Sequence, residues 1–113
     1  MLRRAQSLPL VHENPFTSGN IHVDFVRREV TVRRQPVPLT GTEYPLLYHL
    51  VRNAGQVMTH EALLARVWGR AYADEISYLK GYISRLRNKL EPDPHHPEYI
   101  LTEYGVGYWF RPA

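Results

Sequence analysis

The 113-residue sequence predicts one small α+β domain in which an antiparallel sheet, three helices and a terminal hairpin follow one another along the chain. Three observations carry that prediction. Apolar residues alternate with polar ones from Ile21 to Val32, aliphatic stripes at helical spacing recur three times between residues 41 and 91, and two β-rich runs flank Gly105 and Gly107 near the C-terminus.

The first 19 residues, with prolines at 9 and 15 and then Ser18 and Gly19 before Asn20, show no sustained period and read as linker; the domain proper spans 20–113. In "IHVDFVRREVTVRRQPVPL", Ile21, Val23 and Phe25 share one face and Val30 and Val32 follow. Arg27 and Arg28 form a polar turn, and Pro36 and Pro38 close the run. A first helix is expected at about 41–54. Thr40 and Glu43 have capping-box spacing, Leu47, Leu50, Val51 and Ala54 make the stripe, and Gly55 stops it. Pro45 falls at its fifth position, where it removes the bond to the Gly41 carbonyl, so a distorted first turn is expected. "THEALLARVWG" repeats the design, with Thr59 as N-cap, Leu63, Leu64, Val67 and Trp68 as the buried face, and Gly69 as terminator. After the connection "RAYADEI" comes the third helix, Ser77–Glu91, then the breaker "PDPHHP" and the hairpin "EYILTEYGVGYWFRP", whose two glycines are expected to supply positive φ.

Composition narrows the chemistry. Absence of cysteine removes disulfides, thiolate metal sites and thiol nucleophiles. No apolar run approaches the roughly 18 residues of a membrane span, and the start lacks a secretory signal, so the cytoplasm is expected. Net charge is +3, yet 12 of the 14 basic residues are arginine, whose planar fork suits phosphate and guanine. An acidic partner fits that bias.

A helical wheel sharpens the third helix. Leu79, Ile83, Leu86 and Leu90 fall within about 60° of one another and must be core. Opposite them lie Ser77, Gly81, Ser84 and Asn88, with Lys80 and Arg87 on one flank and Tyr78, Tyr82, Arg85 and Lys89 on the other. A solvated face normally carries long charged residues of good helix propensity, whereas Gly81 costs about 1 kcal/mol relative to alanine. The slim centre and basic edges match a major groove about 12 Å wide with phosphate walls, the alternative being a solvated amphipathic helix, since basic helix faces are common. In the hairpin, Ile100, Tyr108 and Phe110 read as core, while the glycine tip with Tyr104 reads as a wing reaching a neighbouring groove or backbone.

Taken together, "LTGTEYPLLYHLVRNAGQVMTHEALLARVWG", "YLKGYISRLRNKLEPDP" and "YILTEYGVGYWF" make residues 20–112 resemble the winged-helix effector domain of OmpR/PhoB-type response regulators of bacterial two-component systems. The resemblance implies a winged helix-turn-helix: an N-terminal four-stranded antiparallel sheet, three helices and a C-terminal wing. It implies sequence-specific binding of double-stranded promoter DNA, with Arg85 as the main base reader and Lys80, Gly81 and Ser84 beside it. Trp68, Ser77, Tyr78, Tyr82, Arg87 and Thr102 match positions that contact the DNA backbone. Tyr104 stands where several relatives place a minor-groove arginine, which favours sugar or phosphate contact there. Ser84 replaces a basic residue of some relatives. The loop Arg70, Ala71, Tyr72, Ala73, Asp74 and Glu75 matches one that touches RNA polymerase. A second copy on direct-repeat DNA, a receiver domain and a sensor kinase are the other implied partners, and no cofactor or metal is expected. Met1 to Arg4 resemble the frayed end of a receiver's last helix, so the chain reads as a domain cut from a longer regulator.

Other functions leave weaker marks. Adjacent His95 and His96 beside Asp93 cannot easily face one metal, and neither they nor His49 and His60 show a nucleophile, base and orienting acid at a recognisable spacing, so no enzyme is expected. A winged-helix module that binds protein rather than DNA is the stronger rival. RNA is disfavoured because a helix cannot read the narrow A-form major groove.

Overall fold

Alternation of burial governs the N-terminal unit, which ends at Pro38; a second unit runs from Leu39 onward. The structure, a computed structural model, describes residues 14–113.

In the first unit, β1 (Phe16–Ser18), β2 (Ile21–Asp24), β3 (Glu29–Val32) and β4 (Gln35–Pro36) form a four-stranded antiparallel sheet in chain order. Val23 faces Val30 and Ile21 faces Val32 across the β2/β3 ladder, and Ile21, Val23 and Val30 are buried while His22 points outward. Two expectations are corrected. Part of the supposed linker is strand β1, whose Phe16 pairs with Val23 and whose Ser18 pairs with Ile21; three residues are too few to display a period. Phe25 lies in the turn, because the Asp24 carboxylate accepts the Val26 and Arg27 N–H groups at 3.0 and 3.1 Å and so ends the strand. The reading of Met1 to Arg4 lies outside the described residues.

The second unit starts with the anticipated capping box. Glu43 N–H donates to Thr40 Oγ1 at 3.2 Å, and Thr40 N–H donates to Glu43 Oε1 at 3.0 Å. Regular helix α1 spans Glu43–Arg52, starting later than expected. Tyr44 N–H reaches the Thr40 carbonyl and Leu46 N–H reaches that of Thr42. The bond that would lie between them, to Gly41, is the one Pro45 removes, and that interruption delays the helix. Gly55 then turns the chain at φ +86°. Thr59 caps α2 (His60–Val67) by accepting the Ala62 N–H at 3.0 Å. Only Leu63 and Leu64 of α2 are buried; Val67 and Trp68 are half-buried, because the helix end turns toward the surface at Gly69. A single 3-10 turn, Arg70–Tyr72, leads to α3 (Ile76–Leu90), whose Leu79, Ile83, Leu86 and Leu90 are all at most 1% exposed.

Against α3 sits the one carboxylate of α1. Lys89 Nζ lies 2.6 Å from Glu43 Oε1, whose side chain is 3% exposed. Burial alone would raise the Glu43 pKa, but the Lys89 and Thr40 hydrogen bonds outweigh it and hold the carboxyl below its ordinary 4.5. Lys89 is therefore a structural cation rather than part of an open basic edge.

Strands β6 (Ile100–Glu103) and β7 (Gly107–Phe110) form the hairpin, and a short strand β5 (Met58–Thr59) joins β7 on its other side, giving the order β5-β7-β6. Gly105 has the expected positive φ of 77°, but Gly107 does not. Gly107 is a glycine for a different reason: it pairs with Thr59, and a Cβ there would overlap the Met58 carbonyl.

Two outcomes check this packing. Gly107→Ala should cost more than about 2 kcal/mol, because backbone rather than a flexible side chain must yield, and a lowered midpoint in urea would register it. For Glu43, folding favours the ionised form, so its contribution is full above pH 4.5 and lost as pH falls through the lower folded-state pKa. Glu43→Gln should cost about 1–2 kcal/mol at neutral pH and flatten the stability profile below pH 4.5, as acid-dependent denaturation would record.

Candidate nucleic-acid interface

The face of α3 opposite the leucine stripe is uncovered. Ser77, Lys80, Gly81, Ser84, Arg85 and Asn88 are all exposed, and a Cβ built on Gly81 would meet nothing within 4 Å. No neighbour in the fold explains the missing side chain. This face and the wing border a groove of about 750 Å³, with Lys80, Ser84 and Asn88 on the helix and Tyr104 and Gly105 at the wing tip. Tyr104 is 89% exposed.

Groove width is set at the C-terminal end of α3. The Glu91 carboxylate, 7% exposed, accepts backbone N–H groups from Glu98 at 2.7 Å, Tyr99 at 3.0 and 3.2 Å, and Ile100 at 2.7 Å. One helical turn earlier, the Arg87 guanidinium donates to the Ile100 carbonyl through Nε at 3.1 Å and Nη2 at 2.8 Å. The same Nη2 donates to Thr102 Oγ1 at 2.8 Å. An anion and a cation on successive turns thus grip the donors and acceptors of one strand. Burial raises the Tyr108 phenol above its usual 10.0, an effect that nearby Arg87 partly offsets.

At the other end, the aromatic residues that the wheel placed on one flank gather with Trp68. Trp68 lies 5.3 Å from Tyr78 and 5.1 Å from Tyr82, centroid to centroid, and Tyr72 stacks on Tyr78 at 6.2 Å. The Arg85 guanidinium sits 4.6 Å from the Tyr82 ring centre. The four cations of α3 therefore divide: Lys80 and Arg85 face outward, while Arg87 and Lys89 are bound within the fold.

Residues 34–110 match the family described as "Transcriptional regulatory protein, C terminal". The chain belongs to this family of OmpR/PhoB-type regulators. It is 43% identical over 103 residues to the transcriptional regulatory protein KdpE of Mycobacterium tuberculosis, covering 91% of this chain and 43% of that protein. The sensory transduction protein RegX3 of Mycolicibacterium smegmatis is 38% identical, over 80% of this chain and 40% of RegX3. The chain thus spans about two fifths of these relatives. Among solved structures, the RstA DNA-binding domain of Klebsiella pneumoniae, in complex with the RstA box, superposes with a TM-score of 0.80 at 32% identity, covering 89% of this chain and all (100%) of that one. DrrB of Thermotoga maritima, described as an OmpR/PhoB homolog, gives 0.77 at 31% identity over 86% of this chain and 44% of its own.

The winged-helix family fold gathers most residues singled out in the sequence. Ser77, Lys80, Gly81, Ser84 and Arg85 share one exposed face, with Trp68, Tyr78 and Tyr82 clustered at its edge. Arg87 and Thr102, matched to backbone-contact positions, bond to each other. In the loop Arg70–Glu75 all residues except Ala73 are exposed. Asp93, His95 and His96 make a surface turn: His95 N–H donates to Asp93 Oδ1 at 3.0 Å, and His96 Nδ1 lies 2.9 Å from Oδ2. His96 first and then the His95 N–H hold the Asp93 carboxyl below its usual range. Sequence reasoning gave no role to His60 and His95, which also line the groove. His60 packs edge-on against Tyr108 at 5.5 Å, a tertiary neighbour no local pattern announces.

Glu91→Gln should cost about 2–3 kcal/mol, because an amide nitrogen would be turned toward N–H donors that the carboxylate now satisfies. Amide hydrogen exchange should show protection lost first at Tyr99 and Ile100.

Proposed function

We propose that this domain binds promoter DNA sequence-specifically, as the effector of a two-component response regulator, with α3 in the major groove and the wing along the adjacent backbone. Arg85, with Lys80, Gly81 and Ser84, reads base edges. Ser77, Tyr78, Tyr82, Trp68 and Tyr104 meet sugar or phosphate. The observation that carries this reading is the uncovered centre of α3: a glycine that destabilises a helix by about 1 kcal/mol is kept where the fold leaves open space. A small centre flanked by outward cations lets a helix backbone sit deep between phosphate walls. That the related RstA DNA-binding domain was solved in complex with the RstA box supports DNA as the ligand.

Arg87 enters the proposal in a changed role. Its guanidinium holds the wing strand, so its effect on DNA is exerted through wing position. The rest follows the family: a receiver domain and a sensor kinase upstream, a second copy on direct-repeat DNA, and RNA polymerase against the Arg70–Glu75 loop. The site of action is the bacterial cytoplasm; no helix among the described residues is long and apolar enough to cross a membrane.

The test is selection of random duplex DNA at about 150 mM salt, a concentration at which phosphate contacts alone give weak binding. A short enriched motif is expected. Arg85→Ala should cost about 1–3 kcal/mol and relax preference at one base pair, whereas Arg87→Ala should weaken all duplexes alike and lower thermal stability. Affinity that salt abolishes with no sequence preference would instead favour the protein-binding rival.

A further inference from the structure

Arg85 is exposed, and no carboxylate among the described residues pairs with it. A free arginine on a helix surface samples many rotamers, and ordering it on a base edge carries an entropic cost. Here the guanidinium lies over the Tyr82 ring at 4.6 Å, within cation–π range. Tyr82 is itself confined: half-buried, it packs against Trp68 at 5.1 Å and edge-on against Tyr78 at 5.5 Å. Trp68 is the C-cap of α2, so the stack is anchored on a second helix rather than on α3 alone. A residue three positions before the arginine also stands on the neighbouring turn, where its ring can support the side chain along its length.

We propose that Tyr82, braced by Trp68 and Tyr78, is the positioning residue for Arg85: its ring fixes the guanidinium before DNA arrives, and so it sets discrimination at the base pair Arg85 reads. This rests on the base-reading role proposed above for Arg85. It differs from a phosphate contact, which would use the Tyr82 hydroxyl and act on every sequence equally. Ring and hydroxyl are separable by substitution.

The experiment measures binding of the whole 113-residue chain and its variants to the selected duplex, and to one altered at the base pair that Arg85→Ala relaxes. Tyr82→Phe keeps the ring and should retain discrimination. Tyr82→Leu should lower discrimination at that base pair by about two- to fivefold while leaving it intact elsewhere in the motif. Trp68→Leu, which loosens the brace without touching Tyr82, should move the same base pair in the same direction. Thermal melts exclude misfolding as the cause, since a general loss of structure would weaken every position together. Tyr82→Leu with undiminished discrimination would overturn the proposal, as would Tyr82→Phe losing as much discrimination at that base pair as Tyr82→Leu does. Arg85→Ala with discrimination intact at every position would overturn the base-reading role itself, and this inference with it.

Discussion

One buried carboxylate fixes where the wing stands. The segment after α3 carries three prolines within Pro92–Pro97 and has no regular structure of its own, so its backbone N–H groups need partners from elsewhere. Glu91 takes those of residues 98, 99 and 100 together, and it does so from the residue that ends α3. Hydrogen bonds to an ionised group are roughly twice as strong as neutral ones, and losing the acceptor would strand several buried donors at once. Arg87 completes the grip from the opposite charge, on the carbonyl of the same Ile100. On the far side β7 is laced to β5, which runs directly into α2. The hairpin is therefore tied to two helices by different chemistries, and the groove between α3 and the wing is formed in advance. A preformed groove spares the ordering cost that a loose hairpin would incur on binding.

The same constraint decides which cations are available to a ligand. Four basic residues on one helix look equivalent in a sequence, but tertiary partners divide them. Lys89 neutralises Glu43, a carboxylate that α1 needs for its capping box and that would be costly to bury alone. Arg87 is consumed by the wing. The outward field of α3 comes from Lys80 and Arg85, one on each side of the small-residue centre, and of these two it is Arg85 that rests on an aromatic surface.

That division marks the limit of what the sequence could reveal. Period and capping are local, and they were legible: the alternation of Ile21, Val23 and Val30, the Thr40/Glu43 and Thr59 caps, and the stripe from Leu79 to Leu90 stand as read, while Phe25 falls outside the strand. Strands of two or three residues carry no period, so β1 and β5 were invisible, and without β5 the reason for Gly107 could not be seen either. The wheel located Arg87 and Lys89 correctly on the flanks of α3, but partners 13 to 46 residues away decide where those side chains go. Trp68, read as core, sits half-buried against exposed Tyr78 and half-buried Tyr82. The candidate site was therefore legible as a face, and its internal division of labour was not.

Two glycines separate fold from function in this domain. Each forfeits conformational entropy and side-chain burial, and a stable fold tolerates that where something requires it. At Gly107 the requirement is internal: the Met58 carbonyl occupies the space a Cβ would need. At Gly81 the surroundings are empty, the helix is regular, and alanine would fit and stabilise. The protein's own packing thus accounts for the first and leaves the second without cause. The DNA contact proposed above would account for that cost, since a helix with no Cβ at its centre and a cation on each side can sit deep between phosphate walls.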